Sequence, residues 1–390
     1  MSFEIKNDIL IKYKPECGET EVIIPDGVTA IGCSAFDSCK NLTSIIIPES
    51  VTAIGPSAFA GCTSLAAITI PDGVTTIGRS AFQVCKSLTD ITIPKSVTAI
   101  DGLTFWGCES LTAITIPESV TTIGRWAFKG CKKLTSIRIP ESVTTIEPTA
   151  FSTCTRLASI TIPDGVTTIG DSAFLECKSL TDITIPKSVA TIDESTFRGC
   201  ERLAAITIPD GVTAIGCSAF SNCKKLTSIR IPESVTILEP SAFLGCESLT
   251  TITIPDGVKT IGDRAFQGCK SLTDITIPKS VTTIDGWTFR GCERLAAITI
   301  PDGVTTIGDS AFWGCESLTA ITIPESVATI CMRAFSRCKK LTSVRIPESV
   351  TTIEPNAFEG CENLSVVSIS KRTTEIADDA FPEHCVLEWF

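Results

Sequence analysis

The sequence predicts an α/β solenoid: short coils stacked in one direction, with a parallel sheet along one side and a helix of one to two turns closing each coil. Three observations carry this. The proline of an "IP" pair recurs from Pro25 to Pro347 in fifteen copies, every step 23 residues, without insertion or deletion. Sixteen of the eighteen phenylalanines, Phe36 to Phe381, keep the same step, and so do fifteen of the twenty cysteines, Cys39 to Cys361. A fixed period of about 20 to 50 residues marks a repeat architecture. It overrides the two or three domains that 390 residues would otherwise imply.

The unit explains the period. In "CKSLTDITIPKSVTTIDGWTFRGC", residues 269 to 292, Leu272, Ile275 and Ile277 give the apolar side of a short strand with one buried face. Pro278 ends it, because proline cannot donate to a strand ladder. The following "KS", "ES" or "DG" supplies a turn. Val281 and Ile284 mark a second extended piece. In many coils Gly and Asp come next, as at Gly170 and Asp171, where Asp171 is expected to cap a short helix running to Cys177. One coil cannot bury this apolar set alone. Stacked on its neighbours it can, each large side chain gaining about 1.5–3 kcal/mol. A slower rhythm of 92 residues, seen in "KS" after Pro94, Pro186 and Pro278, points to duplicated four-coil cassettes. Residues 1–24 read as a polar capping segment, 25–369 as fifteen repeats, and 370–390 as a degenerate last repeat and cap, with Ser370 where the next proline would fall.

The pattern "CxxLTxITIPxxVTxIGxxAFxG" resembles the BspA-type leucine-rich repeat over roughly residues 20 to 385, and the opening "FEIKNDILIKYK" is similar to that family's lead-in to its first repeat. The resemblance implies a right-handed arc with the parallel sheet on its concave face, and proteins that adhere or bind partners instead of catalysing. A cell-surface or secreted location is part of what it implies.

Composition narrows the function. No run approaches the roughly 18 to 20 apolar residues of a membrane helix. A net charge of −11 repels phosphate backbones, so nucleic acid is not an expected partner. "MSFEIKNDIL" lacks a charged leader followed by an apolar run, so no signal peptide is expected. The cysteine ladder reads as buried packing thiols in the reduced state, since a regular ladder gives no reason to pair one neighbour over the other. Together these favour a cytoplasmic location. No "CxxC" is present, and Cys33 with Cys39 or Cys217 with Cys223 lacks zinc-knuckle spacing, so no metal or other cofactor is expected. The only histidine, His384, lies in the decayed last repeat, and no "GxxxxGK[ST]" occurs, so no catalytic residues are assigned.

Recognition should lie where the copies disagree. Of the two outward positions of the first strand, the second is Thr in ten coils and Arg at Arg138, Arg230 and Arg345; the first includes Asp90, Asp182 and Asp274. The Thr rows are good exposed strand residues, a contact surface, or an array that orders water. Trp106 with Trp126, and Trp287 with Trp313, form two pairs in adjacent coils, either as contact anchors or as packing over neighbouring coils. Charge alternates after the ladder cysteine, from Lys178 and Glu201 through Lys224 and Glu247 to Lys270 and Glu293, which suits register and solubility. The expected function is a non-enzymatic binding scaffold for a protein or glycan partner, monomeric or weakly associating end to end. A structural, self-assembling solenoid without a dedicated ligand is the alternative.

Overall fold

A computed structural model describes residues 2–390. The chain divides into two compact units, Met1–Val189 and Ala190–Phe390. Each is a stack of 23-residue coils whose strands pair in parallel with the coil before and the coil after.

Unit 1 opens with an antiparallel hairpin, β1 (Ser2–Lys6) and β2 (Ile9–Lys14), and β2 then pairs in parallel with Ala30–Ile31. Two strand ladders follow. The first is built on the residues before each "IP", such as Ser136–Arg138 paired in register with Ser159–Thr161. The second is built on the Thr-Ile or Ala-Ile pair after the turn, such as Thr122–Ile123 between Ala99–Ile100 and Thr145–Ile146. In unit 2 the same two ladders run through Ser228–Arg230 and Thr251–Thr253, and through Thr306–Ile307 and Thr329–Ile330. Its last first-ladder strand is Val386–Trp389, beside Val366–Ile369.

The alternation in "TDITIP" puts Ile275 and Ile277 inside and Asp274 and Thr276 outside. The turn after Pro278 closes as expected, Val281 donating its N–H to the proline carbonyl at 3.1 Å. Leu272, Val281, Ile284, Phe289 and Cys292 complete the core of that coil, each essentially without solvent contact. Phenylalanines of successive coils stack at 5.6 Å from Phe243 to Phe266 and from Phe266 to Phe289. The ladder thiols are satisfied: Cys269 donates to the carbonyl of Phe243, and Cys292 to that of Phe266, each at 3.3 Å. None of the twenty cysteines is joined in a disulfide.

The expected helices do not form; among the described residues there is none. Stacking takes the hydrogen bonds a helix would need. Along residues 264–269 the N–H groups of Ala265, Gln267 and Cys269 reach three residues back, to Gly262, Arg264 and Phe266. Those of Arg264, Phe266 and Gly268 reach across to Gly286, Thr288 and Arg290 of the next coil. The third side of each coil is therefore a column of turns, with Arg264 and Gly268 in the left-handed region at φ 58° and 73°. Asp171, expected as a helix cap, instead accepts the N–H of Thr149 through its backbone carbonyl at 2.8 Å.

The glycine before this column serves close approach between coils. A Cβ on Gly262 would stand 2.5 Å from the nitrogen of Pro240 and 2.8 Å from the carbonyl carbon of Glu239. The sequence respects this with an alternation over two coils, Glu239, Gly262, Asp285, Gly308: a side chain in one coil faces glycine in the next. Where Asp285 replaces glycine, Thr288 replaces the usual alanine, and its buried hydroxyl donates to the Asp285 carbonyl at 2.8 Å.

Candidate binding surface

The outward face of the first ladder carries the Arg and Asp positions singled out in the sequence. Arg230 lies between Thr207 and Thr253 of the flanking strands, and its guanidinium pairs with Asp210 of the preceding coil at 2.8 Å. Arg138 pairs with Glu118 at 2.5 Å, and Arg345 with Glu325 at 3.2 Å. The guanidinium of Arg138 holds the Glu118 carboxyl below the usual carboxylate range. Each arginine is thus fixed by an acid twenty residues earlier, just after the previous proline. Arg345 also stands 4.6 Å from the ring of Phe390.

The two arginines of unit 2 are not brought together. In unit 2, Thr253, Thr276, Thr299 and Thr322 separate Arg230 from Arg345 along the ladder. Asp182 pairs in register with Ser159, and Asp274 with Thr251, while Asp90 bridges to Ala67; all three acids are exposed. A shallow hollow of about 390 Å³ opens on this face over Ala205–Thr207, Ser228–Arg230 and Thr251–Thr253, with Arg230 at its centre. A second, of about 670 Å³, lies at the strand ends around Thr276, Pro278, Thr299 and Pro301. In unit 1 the equivalent face begins with Ile23 and Ile46 where later coils carry Thr, both exposed.

The tryptophan pairs sit half-buried on the turn columns. In unit 1, Arg125 lies over Trp126 at 5.1 Å, and Trp106 lines a hollow of about 360 Å³ with Lys86, Glu109 and Lys132. In unit 2, Arg264 lies 4.5 Å over Trp287, while Trp313 has Arg290 at 4.5 Å and Arg337 at 5.1 Å. Trp126 and Trp287 occupy a column position with φ of 60° and 55°, where eight coils carry Ser. Left-handed backbone costs an L-residue about 1–2 kcal/mol, so a bulky ring gains nothing there by backbone preference. The arginines of this cluster escaped the sequence reading. Aligning the coils by column exposes them, since Arg337 stands where nine coils carry glycine.

Asp309, Cys331 and Glu354 place three potential ligand atoms within 4.8 Å of one another. Glu354 is already engaged by the N–H of Met332 at 2.8 Å, and burial, then Glu354 and Asp309, push the Cys331 thiol up to about 11. His384 is exposed in the final segment. Of the alternating charges after the ladder cysteine, Lys224 meets Glu201 at 3.6 Å in unit 2, and in unit 1 Lys178 meets Glu176 at 3.2 Å.

The family profile described as "BspA type Leucine rich repeat region (6 copies)" matches residues 13–134, 83–204, 167–296 and 288–390. The chain belongs to the BspA-type leucine-rich repeat family. Among solved structures, this BspA-type chain is similar to a leucine-rich repeat protein of Bacteroides ovatus, at 31% identity and a TM-score of 0.82, over 100% of this chain and 97% of that one. It is also similar to a leucine-rich cell surface protein of Faecalibacterium prausnitzii, at 32% identity and a TM-score of 0.55, over 94% and 92% of the two chains. No curated protein matches it in sequence. BspA-type repeats are in general binding or adhesion scaffolds, not enzymes.

Proposed function

We propose that this BspA-type chain is a non-enzymatic scaffold that recognises a protein partner, in the manner of an adhesion protein, through the outward face of its first ladder in unit 2. The hollow centred on Arg230 carries this reading: an exposed guanidinium, held in place by Asp210, rises from a smooth Thr, Ser and Ala surface. Its rigid strand backbone costs a partner little ordering, and Arg is a frequent anchor of protein contacts. Asp274, two coils from Arg230, adds an opposite charge on the same face without an ion pair of its own among the described residues. The similar F. prausnitzii protein is described as a cell surface protein, in keeping with an adhesive role. A pull-down from host surface and cytosolic fractions tests the reading. The wild-type chain should recover a partner that the Arg138→Ala, Arg230→Ala, Arg345→Ala triple variant does not. Recovery of the same partners by both would remove the arginines from recognition.

A further inference from the structure

The turn column of unit 2 holds a second site, on a different face from the first ladder. A hollow of about 490 Å³ opens there, within the range of small-ligand sites. Its shape follows from three successive coils. Trp287, Ser310 and Arg333 occupy the same column position, all in the left-handed region. The coils are spaced as their phenylalanines are, 5.4 Å from Phe289 to Phe312 and 5.2 Å from Phe312 to Phe335. The small Ser310 between two large side chains therefore leaves a slot two coil steps wide. Trp287 forms one wall, Arg333 the other and Ser310 the floor, and Trp313 lines the hollow from the neighbouring column. One face of Trp287 is covered by Arg264; the slot lies on the side of Ser310.

The charges in the slot are distinctive for a chain of net charge −11. Arg264 is paired with Asp263 at 3.2 Å and Arg333 with Glu359 at 3.8 Å. Arg290 and Arg337, on either side of Trp313, have no ion pair among the described residues. The Ser310 hydroxyl likewise has no hydrogen-bond partner among them. The slot thus asks for a flat ring to lie against Trp287, a hydroxyl to meet Ser310, and an anion to meet a guanidinium fork that has no ion pair. Such forks match a carboxylate in two-point geometry. A long polyphosphate would be repelled by the acidic remainder of the chain, whereas a sugar acid brings one charge per ring.

We propose that this slot binds a uronate residue of an acidic saccharide. The sugar ring lies against Trp287, its carboxylate meets the Arg337 guanidinium, and a ring hydroxyl meets Ser310. The site is independent of the first-ladder face, so the two proposals fail separately.

The test is calorimetric titration of the full chain with trigalacturonate, the neutral galactotriose and oligoglutamate at low salt. Two variants return the slot to what the other coils carry, Trp287→Ser and Arg337→Gly, and their circular dichroism should match the wild type. Saturable binding of trigalacturonate alone is expected. Arg337→Gly should weaken it by about tenfold or more, and Trp287→Ser should abolish it. No saturable binding of trigalacturonate, equal binding of galactotriose, or undiminished binding by both variants would each overturn the proposal. Oligoglutamate binding that both variants lose would also overturn it, in favour of an acidic peptide.

Discussion

Replacing Gly262 by alanine places a methyl 2.5 Å from the Pro240 nitrogen and 2.8 Å from the Pro240 Cα. Both are backbone atoms, so no side chain can swing aside. Relief requires the two coils to separate by close to an ångström, against the Gly262 N–H bond to the Leu238 carbonyl at 2.9 Å. Overpacking of this kind costs about 1–3 kcal/mol. Gly→Ala also stiffens the unfolded chain, worth about 0.4–1 kcal/mol in the opposite direction. Gly257→Ala cancels that second effect. There the added methyl meets only carbonyl oxygens, at 3.3 and 3.5 Å, so the neighbours need give by a few tenths of an ångström. The difference between the two variants then reports the coil contact alone. Urea unfolding followed by circular dichroism should place Gly262→Ala below Gly257→Ala by about 1–3 kcal/mol. Equal midpoints would refute the close-approach reasoning and, with it, the two-coil alternation of glycine and acid.

Other consequences follow from the core and the surface. Phe266→Ala removes a fully buried ring stacked on two others, and should cost about 3–5 kcal/mol in the same urea experiment. The thiols of Cys108, Cys154, Cys246 and Cys315 are pushed by burial from 9.0 up to about 12. Because the unfolded chain ionises first, stability is complete below about pH 9 and is lost as pH rises toward 12; a flat profile across that window would contradict the ladder's burial. With Ellman's reagent the exposed Cys17 and Cys33 should react first in the native chain, and all twenty thiols only on unfolding. Arg138→Ala removes an exposed ion pair and should leave the unfolding midpoint unmoved.

How far the sequence could be read depended on where each residue's partner lies. Ile275, Pro278 and Val281 announce a strand, a stop and a turn because their determinants are local: period-two burial, a missing N–H and a bond across three residues. The turn column did not announce itself. Phe266 gives its N–H to Thr288, twenty-two residues ahead, and local helix propensity cannot see a competitor supplied by the next coil. The glycines before that column read as turn or helix-entry residues, yet Gly262 is required by Pro240 of the coil before. The same holds for the surface. Arg230 stood out as a departure from Thr, but Asp210, which positions it, follows an earlier proline and looked like an ordinary turn acid. Arg290 and Arg337 are unremarkable in the linear sequence. Only the column places them on either side of Trp313.

On this reading the repeated positions build the coils while the outward strand positions of unit 2 meet the partner. Hydrogen exchange of the chain with and without its captured partner measures this most directly. New protection is expected over Ala205–Thr207, Ser228–Arg230 and Thr251–Thr253, the strands around the Arg230 hollow, and should be lost when Arg230 is replaced by Thr. Protection confined to other segments, with those strands unchanged, would contradict it.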